Sequence, residues 1–221
     1  MVRTQLPHDA KAGPTKPEVR AVLLSKLDLG PDDHFVEVGS CTGAVTIEAA
    51  RRAGRVTAIE RKAGRAETTV RNLHANGLTL RESGDITHPA TDGGSVDPAP
   101  DSREDSAAVE VRVTEAPEGL PEGADALFLG GSRNYEAVLD HAVATGIDRV
   151  VMNVSRLEVA GAATEAFRDR ELLDEVVQFQ VSHGYELAGA TSFDSENPVY
   201  MLVGGTDSQT PGEVATDGGH A

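Results

Sequence analysis

The sequence predicts an α/β fold built on a mainly parallel sheet, and three observations carry that prediction. Short apolar runs alternate with helical patterns along most of the 221 residues. Residues 35–60, FVEVGSCTGAVTIEAARRAGRVTAIE, read as strand, glycine turn, helix and strand. The second of these strands closes on an acid, Glu60. Sheets of this kind bind nucleoside-bearing ligands at the carboxyl ends of their strands.

The elements follow in order. Residues 1–14 look like a flexible arm, and a single domain is expected over 15–206. Thr15, Lys16, Pro17 and Glu18 match a capping box with proline just inside the helix. That helix should run to about Leu27, with Val19, Val22, Leu23 and Leu27 on one face. Phe35, Val36 and Val38 make an apolar first strand, with Glu37 inside it. Gly39 and Gly43 bracket Ser40, Cys41 and Thr42, and a helical pattern starts at Ala44. Gly54 should end that helix in a left-handed conformation, and Val56, Ala58 and Ile59 form the second strand. A crossover helix over 63–75 stops at Asn76 and Gly77. Residues 79–107 are rich in Pro, Gly, Ser and Asp and too poor in large apolar residues to offset their ordering entropy, so a mobile acidic insertion is expected. Strands return at 109–113, 126–129, 149–153, 176–181 and 199–203. Helices fall at 135–144 and from 158 to about 170, and 207–221 reads as a disordered tail.

The glycine turn points to S-adenosylmethionine rather than a dinucleotide. A dinucleotide fingerprint is G-x-G-x-x-G, whose third glycine admits close helix packing below a pyrophosphate. Here the order is Glu37-x-Gly39-x-Cys41-x-Gly43, an acid followed by a turn with no pyrophosphate to cradle. Glu37 would face the amino group and sulfonium of the cofactor. Glu60, about 20 residues past the first glycine, suits the two ribose hydroxyls. The bland alternative is an ordinary βαβ unit. For the adenine-side residue after the third strand two places compete. One is Gly84-Asp85-Ile86. The other is the stretch from Thr114 through Glu115 and Ala116 to Glu118, favoured because it lies just before the fourth strand.

Composition sets bounds. A single Cys excludes an internal disulfide, and the seven His are scattered without zinc spacing, so no metal is expected. No run is long enough to span a membrane, and no apolar signal region opens the chain, so a cytoplasmic protein is expected. The net charge is -16, from 36 acids and 20 bases. Such a surface repels nucleic acid and anionic lipid. Dispersed acidity with scarce Lys also fits a salt-rich cytoplasm, where charge serves solubility.

With these residues on the page, the chain resembles the decarboxylating precorrin C15-methyltransferases of cobalamin synthesis. The resembling segments are 13–27, the turn 37–43, 115–118, 128–132 and 197–199. The resemblance implies a class I S-adenosylmethionine-dependent methyltransferase fold, Rossmann-like, with a seven-stranded sheet whose last strand is antiparallel. It implies a reduced tetrapyrrole substrate with acetate and propionate arms, with or without cobalt. Carbon 15 would be methylated and the carbon-12 acetate would lose its carboxyl. It also implies a homotetramer and cofactor contacts at Thr15, the turn from Gly39 through Ser40, Cys41 and Thr42 to Gly43, Glu60 and Ala116, and it leaves open whether a separate companion methylates carbon 5.

The chain departs from the family in three places. Cys41 stands where the family has Gly, which keeps binding intact if the backbone there avoids positive φ. The acidic insertion has no counterpart. The Arg-rich stretch before the final Asn-Pro-Val is replaced by residues 182–189, where His183 and Tyr185 are donors but not permanent cations. Substrate grip then moves to Arg133 and Arg156, with His183 beside them.

Catalysis asks mainly for positioning and exclusion of water. Asn153, at the end of the fifth strand, is a candidate to orient a ring nitrogen or side-arm carboxylate. Glu158 is a candidate to orient a pyrrole N–H, although an acid in the first turn of a helix is also favoured by the dipole. Rival readings are another small-molecule or tRNA methyltransferase, a cofactor-binding subunit without catalysis, and a nicotinamide enzyme.

Overall fold

A computed structural model describes residues 3–10, 13–81, 107–131 and 133–206. The elements are α1 (Pro17–Leu27), β1 (His34–Val38), α2 (Ala44–Ala49), β2 (Arg55–Ile59), α3 (Ala63–Ala75), β3 (Ala108–Arg112), β4 (Ala126–Leu129), α4 (Tyr135–Thr145), β5 (Arg149–Val154), α5 (Leu157–Arg168), β6 (Leu173–Phe179), β7 (Ser182–Leu187), β8 (Ala190–Ser195) and β9 (Val199–Gly204). Seven strands form one sheet in the order β3-β2-β1-β4-β5-β9-β6. Strands β1 to β5 pair in parallel, and β9 runs antiparallel to both β5 and β6. This is the mainly parallel sheet that the sequence predicts, with the antiparallel last strand that the family resemblance implies.

Both faces of the sheet are covered, which is why its central strands are largely apolar. Alternate residues of β1 serve the two cores. Phe35 packs with Val19, Leu23, Leu27, Ile47 and Leu73 of α1 to α3, while Val36 packs with Val138, Leu139, Ala163 and Phe167 of α4 and α5. Strand order reverses between β1 and β4, and a crevice opens at their carboxyl ends.

Four local expectations are corrected. First, the capping box does not form. The N-cap is Lys16, with no side-chain capping bond, and Pro17 is the first helical residue. That register puts Glu18 one position too early to reach back to the cap. Second, α2 ends at Ala49, and Gly54 is no left-handed cap. It is needed for close approach, since a Cβ there would lie 2.1 Å from the Pro31 carbonyl oxygen. Third, residues 182–195, to which the sequence pattern assigns no element, form a ribbon. Strands β7 and β8 pair antiparallel through Ala188 and Gly189, both at positive φ (50° and 80°), as a two-residue hairpin turn requires. Fourth, β6 starts at Leu173, three residues early, with a register irregularity before Glu175.

The segment expected as a flexible arm is held along α3 over residues 3–10. Asn76 exchanges two hydrogen bonds with the backbone of Gln5, and Asn72 exchanges two with the backbone of His8. Most of the acidic insertion, the alternative Gly84-Asp85-Ile86 and the tail 207–221 lie outside the described residues. At the borders of the insertion Leu80 forms a parallel bridge with Val109, and the Arg81 N–H donates to the Val109 carbonyl at 2.7 Å.

Candidate active site

The crevice holds a cavity of about 450 Å³, walled by the β1 turn, the ends of β2, β4 and β5, and the segment leading into α1. That is within the size range of small-ligand and cofactor sites.

The turn after β1 is built from below by α3. Gly39 and Gly43 take φ of 88° and 75°, and Gly39 N–H donates to the Ile59 carbonyl at 2.8 Å. A Cβ on Gly43 would lie 2.9 Å from Thr69 Cγ2, so position 43 needs glycine for space as well as for φ. Thr69 shares a hydrogen bond with Ser40 Oγ (2.9 Å) and donates to the Cys41 carbonyl (3.2 Å). Asn72 donates to the Thr42 carbonyl at 2.8 Å. Cys41 itself sits at φ 55°. The condition that its backbone avoid positive φ is therefore not met; a side chain there costs about 1 kcal/mol relative to the ordinary right-handed region. The turn keeps its shape because Thr69 and Glu60 hold the Cys41 peptide groups.

The two acids differ in environment. Glu37 is buried, and Thr46 Oγ1 donates to its Oε2. Burial pushes its carboxyl up to about 7, against the hydrogen bonds from Thr46 and with help from nearby Glu60. Glu60 accepts the Lys62 N–H on Oε1 (2.9 Å) and the Cys41 N–H on Oε2 (3.3 Å). Each of its oxygens retains a lone pair for a ligand hydroxyl.

The structure brings most of the expected residues to one place. Thr15, Glu37, Gly39, Ser40, Cys41, Thr42, Glu60, Glu115, Ala116, Arg133 and Asn153 all line the cavity. Gly43 begins α2 just beneath them, as its N-cap. Arg133 Nε donates to the Glu115 carboxylate, and Asn134 Nδ2 to the Ala116 carbonyl at 3.3 Å. Asn153 is the most informative: its Oδ1 and Nδ2 are both buried and neither has a hydrogen-bond partner among the described residues. An amide left unpaired in a cavity wall marks a place for a polar ligand group.

Three expected residues lie elsewhere. Glu158 and Arg156 are exposed at the start of α5 and are not in the cavity wall. Arg156 is the N-cap of that helix and Glu158 lies in its first turn. His183 is on the β7–β8 ribbon, with Nε2 3.3 Å from Glu196 Oε1. Glu196 also pairs with Lys16 at 2.9 Å, and Lys16 donates to the Asn197 carbonyl at 2.6 Å. Lys16, Arg61, Arg65, Phe128, Ser155 and Val199 line the cavity without having been singled out. The basic cluster of Arg61, Lys62 and Arg65 in so acidic a chain was the signal for two of them.

The chain is similar to several known proteins. A family model described as a precorrin methyltransferase domain matches residues 7–102. A probable cobalt-precorrin-6B C(15)-methyltransferase (decarboxylating) of Halobacterium salinarum is 69% identical over 95% of this chain and 98% of that protein. Its namesake in Methanosarcina acetivorans is 35% identical over 87% of this chain and 93% of that protein. Among solved structures, precorrin 8w decarboxylase of Methanobacterium thermoautotrophicum superposes with a TM-score of 0.73 at 27% identity, covering 93% of this chain and 100% of that one.

Proposed function

The chain belongs to the decarboxylating cobalt-precorrin-6B C(15)-methyltransferase family, and we propose that it transfers a methyl group from S-adenosylmethionine to carbon 15 of a (cobalt-)precorrin with loss of the carboxyl of the carbon-12 acetate. One observation carries this reading at the site. The cavity at the sheet's switch point has both the buried acid Glu37 and the unpartnered Asn153 amide in its wall.

S-adenosylmethionine supplies a methyl group already activated on sulfur, so the chain's residues have only to hold, orient and keep water out. Glu37 would hold the cationic end, Glu60 the ribose hydroxyls, and Glu115 with Ala116 the adenine side. Thr15 and the turn 39–43 close around them. Asn153 offers a donor and an acceptor to a ring nitrogen or side-arm carboxylate. Arg133, with Arg61, Arg65 and Lys16 also lining the cavity, supplies positive charge for the acetate and propionate arms. Bond formation at carbon 15 leaves a conjugated cation in the macrocycle. The electron pair of the breaking acetate C–C bond flows into that cation, and carbon dioxide leaves. The substrate thus provides its own electron sink, and a dry pocket favours loss of the carboxylate.

The chain works as a homo-oligomer, a tetramer by family resemblance, beside a companion carbon-5 methyltransferase in the cytoplasm. The exposed Phe193 (67%) and Leu187 (56%) on the β7–β8 ribbon support self-association, and sedimentation at high salt tests it. For the reaction, the purified chain is given the tetrapyrrole and methyl-labelled S-adenosylmethionine in high salt. The expected product carries the label, has gained one methylene and has lost one carbon dioxide. Label transfer without carbon dioxide release removes the decarboxylating half, and no transfer removes the whole reading.

A further inference from the structure

Asn72 on α3 is fully buried, with both amide hydrogens and its amide oxygen engaged. Its Nδ2 donates to the Thr42 carbonyl and to the His8 carbonyl, both at 2.8 Å, and its Oδ1 accepts the His8 N–H at 3.0 Å. One side chain therefore holds the turn after β1 and the N-terminal segment together. Thr69, three residues earlier on the same helix face, touches only the turn side, at Ser40 and Cys41. Asn76, four residues later, holds the segment through Gln5 and makes no bond to the turn. Farther along the same segment, Gly13, Pro14, Thr15 and Lys16 form part of the cavity wall.

Resting on the assignment of this cavity to the cofactor, we propose that Asn72 is a positioning residue that couples docking of the N-terminal segment to the shape of the cofactor turn, so that segment docking and cofactor binding strengthen each other. The physical reason is burial of the paired amide. If the segment lifts away, a buried N–H and a buried carbonyl oxygen on Asn72 lose their partners, which is costly in a dry environment. The amide then shifts to recover a partner, and the Thr42 carbonyl is no longer held. The turn can least tolerate that loss, because it already keeps Cys41 at φ 55°. Coupling of this kind is reciprocal, so a ligand that fixes the turn must also fix the segment.

The test uses the full chain and S-adenosylhomocysteine as probe, in high salt. Asn72→Ala removes both ends of the link. His8→Pro removes only the segment's N–H and leaves the bond from Asn72 to Thr42. Asn76→Ala loosens the segment away from the turn. Asn72→Ala should weaken binding about tenfold, His8→Pro should weaken it by a smaller factor, and the double variant should be no weaker than Asn72→Ala alone. Hydrogen exchange at the His8 amide should slow on ligand addition in the wild type and in Asn76→Ala, but not in Asn72→Ala. Losses that add in the double variant, or an exchange rate at His8 indifferent to ligand in the wild type, overturn the coupling. If Asn72→Ala does not fold, His8→Pro decides: wild-type affinity in that variant overturns the proposal. A wild type that binds no S-adenosylhomocysteine overturns the cofactor assignment along with it, an outcome visible before any variant is made.

Discussion

The Thr46 hydroxyl donates to the carboxyl of Glu37, and both groups are buried behind the turn after β1. Burial still dominates, and the Glu37 carboxyl is pushed up to about 7, with Glu60 adding to the rise and Arg20 opposing it. Glu37 thus binds its proton more tightly folded than unfolded. The resulting stability is complete below the ordinary carboxylate value of 4.5 and is lost as pH rises through about 7. The ligand-free protein should melt at lower temperature as pH climbs through that window, and Glu37→Gln should flatten the fall. A cationic ligand reverses the preference. S-adenosylmethionine should bind more tightly as pH rises toward 7 and should release a proton below it. Calorimetry in two buffers of different ionisation enthalpy reads that proton directly.

Asn153 gives the second prediction. Its unpaired amide is a cost carried by the ligand-free fold. Asn153→Leu should raise stability by about 1 kcal/mol while lowering the methyl-transfer rate at least about tenfold. Thermal melts and turnover measured on the same preparation check both signs, and a variant that is less stable and fully active defeats the assignment.

Cys41 gives the third. Replacing it with glycine removes the left-handed penalty, so Cys41→Gly should stabilise the protein by up to about 1 kcal/mol and leave affinity for S-adenosylhomocysteine equal or tighter. Cys41→Val puts a β-branched side chain at φ 55° and should weaken binding sharply.

The floor of the turn is tested at Gly43. Gly43→Ala forces a Cβ against Thr69 at an unfavourable φ and should cost about 2 kcal/mol. Adding Thr69→Ser removes the clashing methyl and keeps the hydroxyl. It should recover part of that loss, the remainder being the cost of φ.

The cationic wall separates substrate from cofactor. Arg133→Gln should raise KM for the tetrapyrrole about tenfold, a larger loss than any in affinity for S-adenosylhomocysteine, which Arg133 reaches only through Glu115. A matching loss of cofactor affinity would assign Arg133 to the cofactor instead.

Much of this was legible because the turn is local. Its glycines, Glu37 and Glu60 lie within 26 consecutive residues, 35–60, and each acts through its own strand end. Asn153 was legible for the same reason, as a polar residue closing an apolar strand. The capping box failed because Thr15 serves the cavity wall, a tertiary role that outweighs a capping bond. The ribbon escaped because both its faces are exposed, leaving no apolar alternation, and because Ala188 takes the positive φ usually signalled by Gly, Asn or Asp. Glu158 and Arg156 follow β5 closely in sequence, but the chain turns there into α5 and carries them to the surface. Lys16 needed the fold, which brings the start of α1 to the same cavity as the β2–α3 junction that carries Arg61 and Arg65.

The bridge between Leu80 and Val109 has an evolutionary consequence. The chain is fastened to the sheet on both sides of residues 82–106, at Arg81 before them and at Ala108 after them. Edge strand β3 takes its register from β2 on one side and is bridged by Leu80 on the other. A change of length between the two anchors leaves both of them in place, so related sequences are best aligned as two blocks joined across that stretch.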